Sequence, residues 1–75
     1  MYPVLGRIIR RKRLLKDMTS KQVSGEAGVG YSYYCAIERG EHDPTIKTLQ
    51  KICRVLGLSV WQLLKEVEVT DSKQV

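Results

Sequence analysis

Residues 19–39 read Thr-Ser-Lys-Gln-Val-Ser-Gly-Glu-Ala-Gly-Val-Gly-Tyr-Ser-Tyr-Tyr-Cys-Ala-Ile-Glu-Arg. Thr19 followed three residues later by Gln22 is a capping-box pattern and opens a short helix. Val23 and Ala27 stand four apart and give that helix an inward face. Gly28 ends it, because a glycine accepts the left-handed backbone that closes a helix. A second helix is expected from about Gly30 to Arg39, with Tyr34 and Ile37 inward and Gly40 after its end. Only Gly28, Val29 and Gly30 join the two. So short a connection suits two helices that cross steeply. The small residues Ser24 and Gly25 would let them approach closely.

The flanking sequence repeats this helical grammar. A first helix is expected after Pro3 as far as Lys16, with Leu5, Ile8, Ile9 and Leu15 forming an apolar stripe, and Asp17 breaking the pattern. Glu41 to Pro44 read as a polar turn. Thr45 caps a fourth helix whose core face is Ile46, Leu49, Ile52, Cys53 and Leu56, closed by Gly57. Ser59 caps a fifth helix to about Val67, with Val60, Leu63, Leu64 and Val67 apolar. Residues from Thr70 onward are polar and expected to fray. No run alternates at a period of two residues, so the fold class is all-α. The reading is one compact five-helix domain over residues 5–66, its central helix pair at 19–39, followed by a polar tail over 67–75.

Composition narrows the function. A chain of 75 residues buries a thin core, and a partner subunit would support it. A net charge of +5 on so small a body points to an anionic partner, nucleic acid first and membrane surface second. No stretch nears the roughly 20 apolar residues of a membrane span. The N-terminus lacks the apolar core of a secretion signal, so a cytoplasmic location is expected. The two cysteines, Cys35 and Cys53, read as reduced thiols with no partner pair for zinc. His42 has no nucleophile at a recognisable spacing. No catalytic residues, metal or cofactor are expected, and the chain does not read as an enzyme.

Two helices across a tight glycine turn can present the second to the major groove of DNA, which is about 12 Å wide and admits an α-helix. The first then crosses the backbone with its N-terminus toward phosphate, where unpaired N–H groups and the helix dipole favour an anion. Thr19, Ser20 and Lys21 occupy that N-terminus.

Four segments extend this to a resemblance. Val23–Val29, Ile37–Glu41, Asp43–Thr45 and Leu56–Leu64, in this order and spacing, resemble the Cro/phage-repressor helix-turn-helix family, also called lambda-repressor-like or XRE-type. The resemblance spans about residues 5–66. It implies five helices, a reading unit made by the second and third, and a two-fold homodimer on a palindromic operator in double-stranded DNA. Carried over by position, Tyr31, Ser32 and Ala36 would face base edges, and Thr19, Ser20, Tyr33 and Arg39 the backbone. Arg13 would pair with Glu38 as a structural ion pair. Cys35 falls on the same outward face as the base readers. Gly30 stands where a serine, threonine or aspartate usually caps the recognition helix, and Tyr34 where isoleucine or valine is usual. The reading face of Tyr31, Ser32, Cys35 and Ala36 has no side chain suited to bidentate base contacts, so shape and phosphate positioning would carry more of the specificity.

Around this reading stand open alternatives. Arg10, Arg11, Lys12 and Arg13 read either as a phosphate-binding edge or as a solvated helix face; they point around their helix and cannot all touch one surface. Trp61, with Leu64 and Val67, is expected to cover a dimer seam, since aromatic residues favour interfaces. A tyrosine-rich surface also suits a protein-interaction module, such as the antitoxin of a toxin pair. A protein partner would then be a toxin, or polymerase in the regulatory reading.

Overall fold

Local capping chemistry sets the helix starts. In the computed structural model, which describes residues 2–73, the helices are α1 (Tyr2–Leu15), α2 (Ser20–Ala27), α3 (Tyr31–Glu38), α4 (Ile46–Leu56) and α5 (Val60–Lys73). The fold among the described residues is all-α. Thr19 Oγ1 accepts from the Gln22 N–H at 3.1 Å, and Gln22 Oε1 accepts from the Thr19 N–H at 2.8 Å. Ser59 and Gln62 build the same reciprocal box at the start of α5, at 3.1 and 2.9 Å. Thr45 caps α4 through the Thr48 N–H at 3.1 Å. These contacts satisfy helix-end donors that would otherwise lack partners.

The ends are set by left-handed residues. Gly28 adopts φ 70° after α2, and the Val29 N–H then reaches back to the Ser24 carbonyl at 2.9 Å. Asp17 does the same after α1 with φ 55°, a conformation that strains a residue bearing a Cβ. The Met18 N–H donates to the Arg13 carbonyl at 3.2 Å and completes that turn.

The core joins all five helices. Val4, Leu5, Ile8 and Ile9 of α1 meet Val23 of α2, Tyr34 and Ile37 of α3, Leu49, Ile52, Cys53 and Leu56 of α4, and Leu63 and Val67 of α5. Helices α1 and α5 run antiparallel: Val4 lies near Thr70, while Arg11 and Lys12 reach Glu66 at 3.1 and 2.9 Å.

Packing corrects several expectations. Helix α5 does not stop near Val67 but continues to Lys73, so residues 67–73 are helix and not tail, while residues 74–75 lie outside the described part. Contact with α1 continues past the expected end: Val67 is buried in the core and Thr70 lies beside Val4 and Arg7 of α1. Ile46, expected in the core, is 57% exposed; it is the first residue of α4 and projects past the layer that α4 buries. Leu15 is likewise exposed, at the last position of α1. Gly25 makes no close approach: a Cβ there would meet nothing within 4 Å. The close approach falls at Gly6, where a Cβ would lie 2.5 Å from the Glu38 carbonyl oxygen and also against that of Ile37. Helix α1 therefore rests directly on the C-terminal turn of α3.

Candidate nucleic-acid interface

Helices α2 and α3 are anchored by what they bury. Val23 and Tyr34 are fully enclosed, and Ile37 is nearly so. Ser24 is buried too, its hydroxyl donating to the Lys21 carbonyl at 3.2 Å, so a polar side chain sits in the interior without an unpaired group. Val29 packs on the core and pins the turn between the helices.

A buried ion pair locks α3 to α1. Arg13 Nε donates to Glu38 Oε2 at 2.7 Å and Nη2 to Oε1 at 3.1 Å, a two-point fork. Arg13 Nη1 donates to the Met18 carbonyl at 2.9 Å, so the same guanidinium also fixes the loop before α2. The carboxylate bond to Glu38 holds the Arg13 guanidinium above its ordinary range, against an opposing desolvation. Arg13 is 8% exposed, so little water screens the pair. The Tyr34 phenol is pushed well up, by burial first and by Glu38 second. Its hydroxyl nonetheless has no partner of good hydrogen-bond geometry.

With that scaffold set, the outward face of α3 consists of Tyr31, 52% exposed, together with exposed Ser32 and half-buried Cys35. Ala36 does not join them. It is only 8% exposed, so little of its surface is open to a base edge. Gly30 precedes α3 without a side-chain cap. Cys35, one turn along α3, raises the Tyr31 phenol above its ordinary value.

The flanks carry the other candidates. Thr19 and Lys21 are exposed and Ser20 half-buried at the start of α2, with the Thr19 hydroxyl engaged in its cap. Tyr33 is half-buried and meets the His42 ring edge-on, centroids 5.3 Å apart and planes at 78°. Arg39 is exposed, its Nε donating to Glu41 Oε2 at 2.9 Å and Nη2 to Oε1 at 3.2 Å. That contact raises the Arg39 guanidinium and lowers the Glu41 carboxyl. Both side chains are solvated, so the pair is easily exchanged for another partner.

The expected seam on α5 is only partly present at the surface. Trp61 is 68% exposed under the Lys65 ammonium, which lies 5.0 Å from its ring centroid. Leu64 is half-buried against the core. Val67 is 1% exposed, a core residue unable to cover a seam. Exposed Val69 takes its place beside Trp61, along an open depression of about 480 Å³ that also involves Gln62 and Thr70.

The basic run of α1 divides by direction. Arg11 and Lys12 turn to Glu66, and Arg13 to Glu38. Arg10 turns to a depression of about 270 Å³ lined also by Arg13, Ser20, Cys35, Glu38 and Arg39. The sequence offered Arg10 only as one of four cations that could form a phosphate-binding edge, without ranking them. The available signal was its place one turn before Arg13, on the side of α1 that the Glu38 pairing turns toward α3.

No group of three or more His, Cys, Asp or Glu among the described residues is arranged to hold a metal ion, and no described helix is long and apolar enough to cross a membrane. An α2–α3 pair joined by a three-residue turn, with one exposed α3 face and cations on its flanks, defines a DNA-binding helix-turn-helix domain of the transcription-regulator class. The chain matches the model of the Helix-turn-helix family over residues 9–60 and belongs to that family, in its Cro/phage-repressor, XRE-type form. It is 30% identical over 70 residues to the HTH-type transcriptional regulator y4dJ of Sinorhizobium fredii, covering 93% of this chain and 91% of that protein. Other curated relatives are longer, and the chain spans between 40% and 62% of their lengths. Among solved structures, the clp gene regulator ClgR of Corynebacterium glutamicum superposes with a TM-score of 0.90 at 27% identity, over 97% of this chain and 78% of that one. The restriction-modification controller protein C.Esp1396I, as a tetramer in complex with its natural 35 base-pair operator, superposes with a TM-score of 0.76 at 28% identity, over 88% and 92%.

Proposed function

We propose that this protein binds operator DNA as a homodimer and regulates transcription by occupancy, with α3 of each protomer in the major groove. The observation that carries the reading is the exposed Tyr31–Ser32–Cys35 face of α3, held in one orientation to α1 by the buried Arg13–Glu38 fork. Thr19, Ser20 and Lys21 at the start of α2, with Tyr33 and Arg39 on α3, are assigned to phosphates. The operator complex of C.Esp1396I supports DNA as the ligand. With Tyr31 and Ser32 as the main base-facing groups, sequence preference leans on DNA shape as much as on base edges. The partner subunit docks along α5, through Trp61, Leu64 and Val69. A cytoplasmic site of action and the lack of any need for a cofactor follow from this reading.

Selection of bound sites from random duplex DNA tests it. A two-fold-symmetric consensus, with half-sites one helical turn or about 34 Å apart, is expected. Enrichment of single half-sites would remove the dimer, and no enrichment would remove the DNA reading. The exposed Trp61 and Val69 also favour a second reading, a protein-interaction module such as an antitoxin. A stable partner on pull-down, with no gel shift on any duplex, would select it.

A further inference from the structure

Arg10 is a cation without an ion-pair partner among the described residues, and it lines a concave site beside Ser20 and Arg39, which the DNA reading already assigns to phosphates. The depression of about 270 Å³ gathers Arg10 from α1, Ser20 from α2, and Cys35 and Arg39 from α3, over the Arg13–Glu38 fork. Its single carboxylate, Glu38, is neutralised by two hydrogen bonds from Arg13. Arg39 is tied only to the solvated Glu41. The site therefore offers two solvent-accessible guanidinium groups and a hydroxyl, complementary to a phosphodiester in charge. It is continuous with the reading face, since Cys35 contributes to both and stands one turn after Tyr31 on α3.

We propose that this depression seats one backbone phosphate of the bound duplex, clamped between Arg10 and Arg39, with Ser20 as a further donor. The assignment rests on the DNA reading above and adds α1 to the interface. It makes Arg10 a register-setting residue: the phosphate is held by α1 and α3 together, so the ion pair joining those helices also sets the depth at which Tyr31 and Ser32 meet the bases.

The test compares the wild type with Arg10→Gln on the duplex recovered by selection, over a series of salt concentrations. Arg10 is exposed, so the variant is expected to fold. Loss of one phosphate contact should flatten the slope of log affinity against log salt by about one, with equal weakening on single-base variants of the site. Cys35 supplies a second readout. Cys53 is 1% exposed, so iodoacetamide should report on half-buried Cys35, and saturating duplex should protect it in the wild type and less in Arg10→Gln. Failure of the wild type to bind any duplex would overturn the DNA reading and this assignment with it. A wild type that binds with a steep slope, beside an Arg10→Gln protein of unchanged slope and equal Cys35 protection, would overturn the phosphate site alone. Equal protection of Cys35 by inorganic phosphate at matched ionic strength, with none added by duplex, would also overturn it in favour of a small-anion site.

Discussion

Replacing Glu38 with alanine should be among the most damaging changes to this domain. The substitution leaves Arg13 at 8% exposure with its charge uncompensated, keeping only the bond to the Met18 carbonyl. Removing one partner of a buried pair costs about 3–5 kcal/mol. A small domain has about 0.05–0.15 kcal/mol of stability per residue, so 75 residues give roughly 4–11 kcal/mol in all. The loss would consume a large share of that reserve and lower Tm by about 12 °C or more, at about 4 °C per kcal/mol. Urea unfolding followed by circular dichroism measures it directly. The double replacement Arg13→Met with Glu38→Leu removes both charges and fills the space with apolar atoms, and should recover most of the loss. DNA affinity should not recover with it, because the Met18 tether and the α1–α3 fork are both gone. A loss below about 1 kcal/mol for Glu38→Ala would refute the reasoning, since it would mean water screens the pair as it does at a surface.

Other substitutions test other contacts. Tyr34→Phe removes a buried hydroxyl without a partner and should stabilise by about 1 kcal/mol in thermal unfolding; a loss would mean the hydroxyl is bonded in solution. Gly6→Ala drives a methyl into the Ile37 and Glu38 carbonyls and should cost about 2 kcal/mol or more, with wild-type stability the disproof. Asp17→Gly relieves a left-handed residue and should add about 0.5–1 kcal/mol, and an unchanged urea midpoint would show that the turn carries no strain. Glu41 is held below the ordinary carboxylate range by Arg39, so its pairing is present above that range and is lost as pH falls through the lowered value. Glu41→Gln should therefore tighten DNA binding at neutral pH by freeing Arg39 for phosphate, and should remove that residue's share of the acid dependence of binding; weaker binding at pH 7 would contradict this.

Much of the architecture is legible from local chemistry. Thr19 with Gln22, Ser59 with Gln62, and Gly28 act within one turn of their own position, so caps and stops can be read without knowing the neighbours. The inward positions Ile8, Ile9, Val23, Tyr34, Ile37, Leu49 and Leu63 follow from three- and four-residue spacing, and all are buried. Spacing alone did not rank positions at the edges of a stripe. Ile46 and Val67 both sit at the right phase, yet one lies at a helix start facing water and the other beneath α1. Ala36 shows the same limit: its outward phase on α3 does not reveal that packing leaves it only 8% exposed.

By itself, then, the sequence determined the five helices, the tight α2–α3 turn and the family, because capping, glycine stops and apolar periodicity are properties of neighbouring residues. Tertiary structure alone decided which face of α3 is free, how far α5 runs and where Arg10 points. Those outcomes depend on contacts between segments far apart in the chain: Gly6 beneath the end of α3, Glu66 gripped by α1, and Arg13 reaching Glu38 across 25 positions. The helix pair between Thr19 and Arg39 is thus written locally, while its reading face is set by the helix that precedes it.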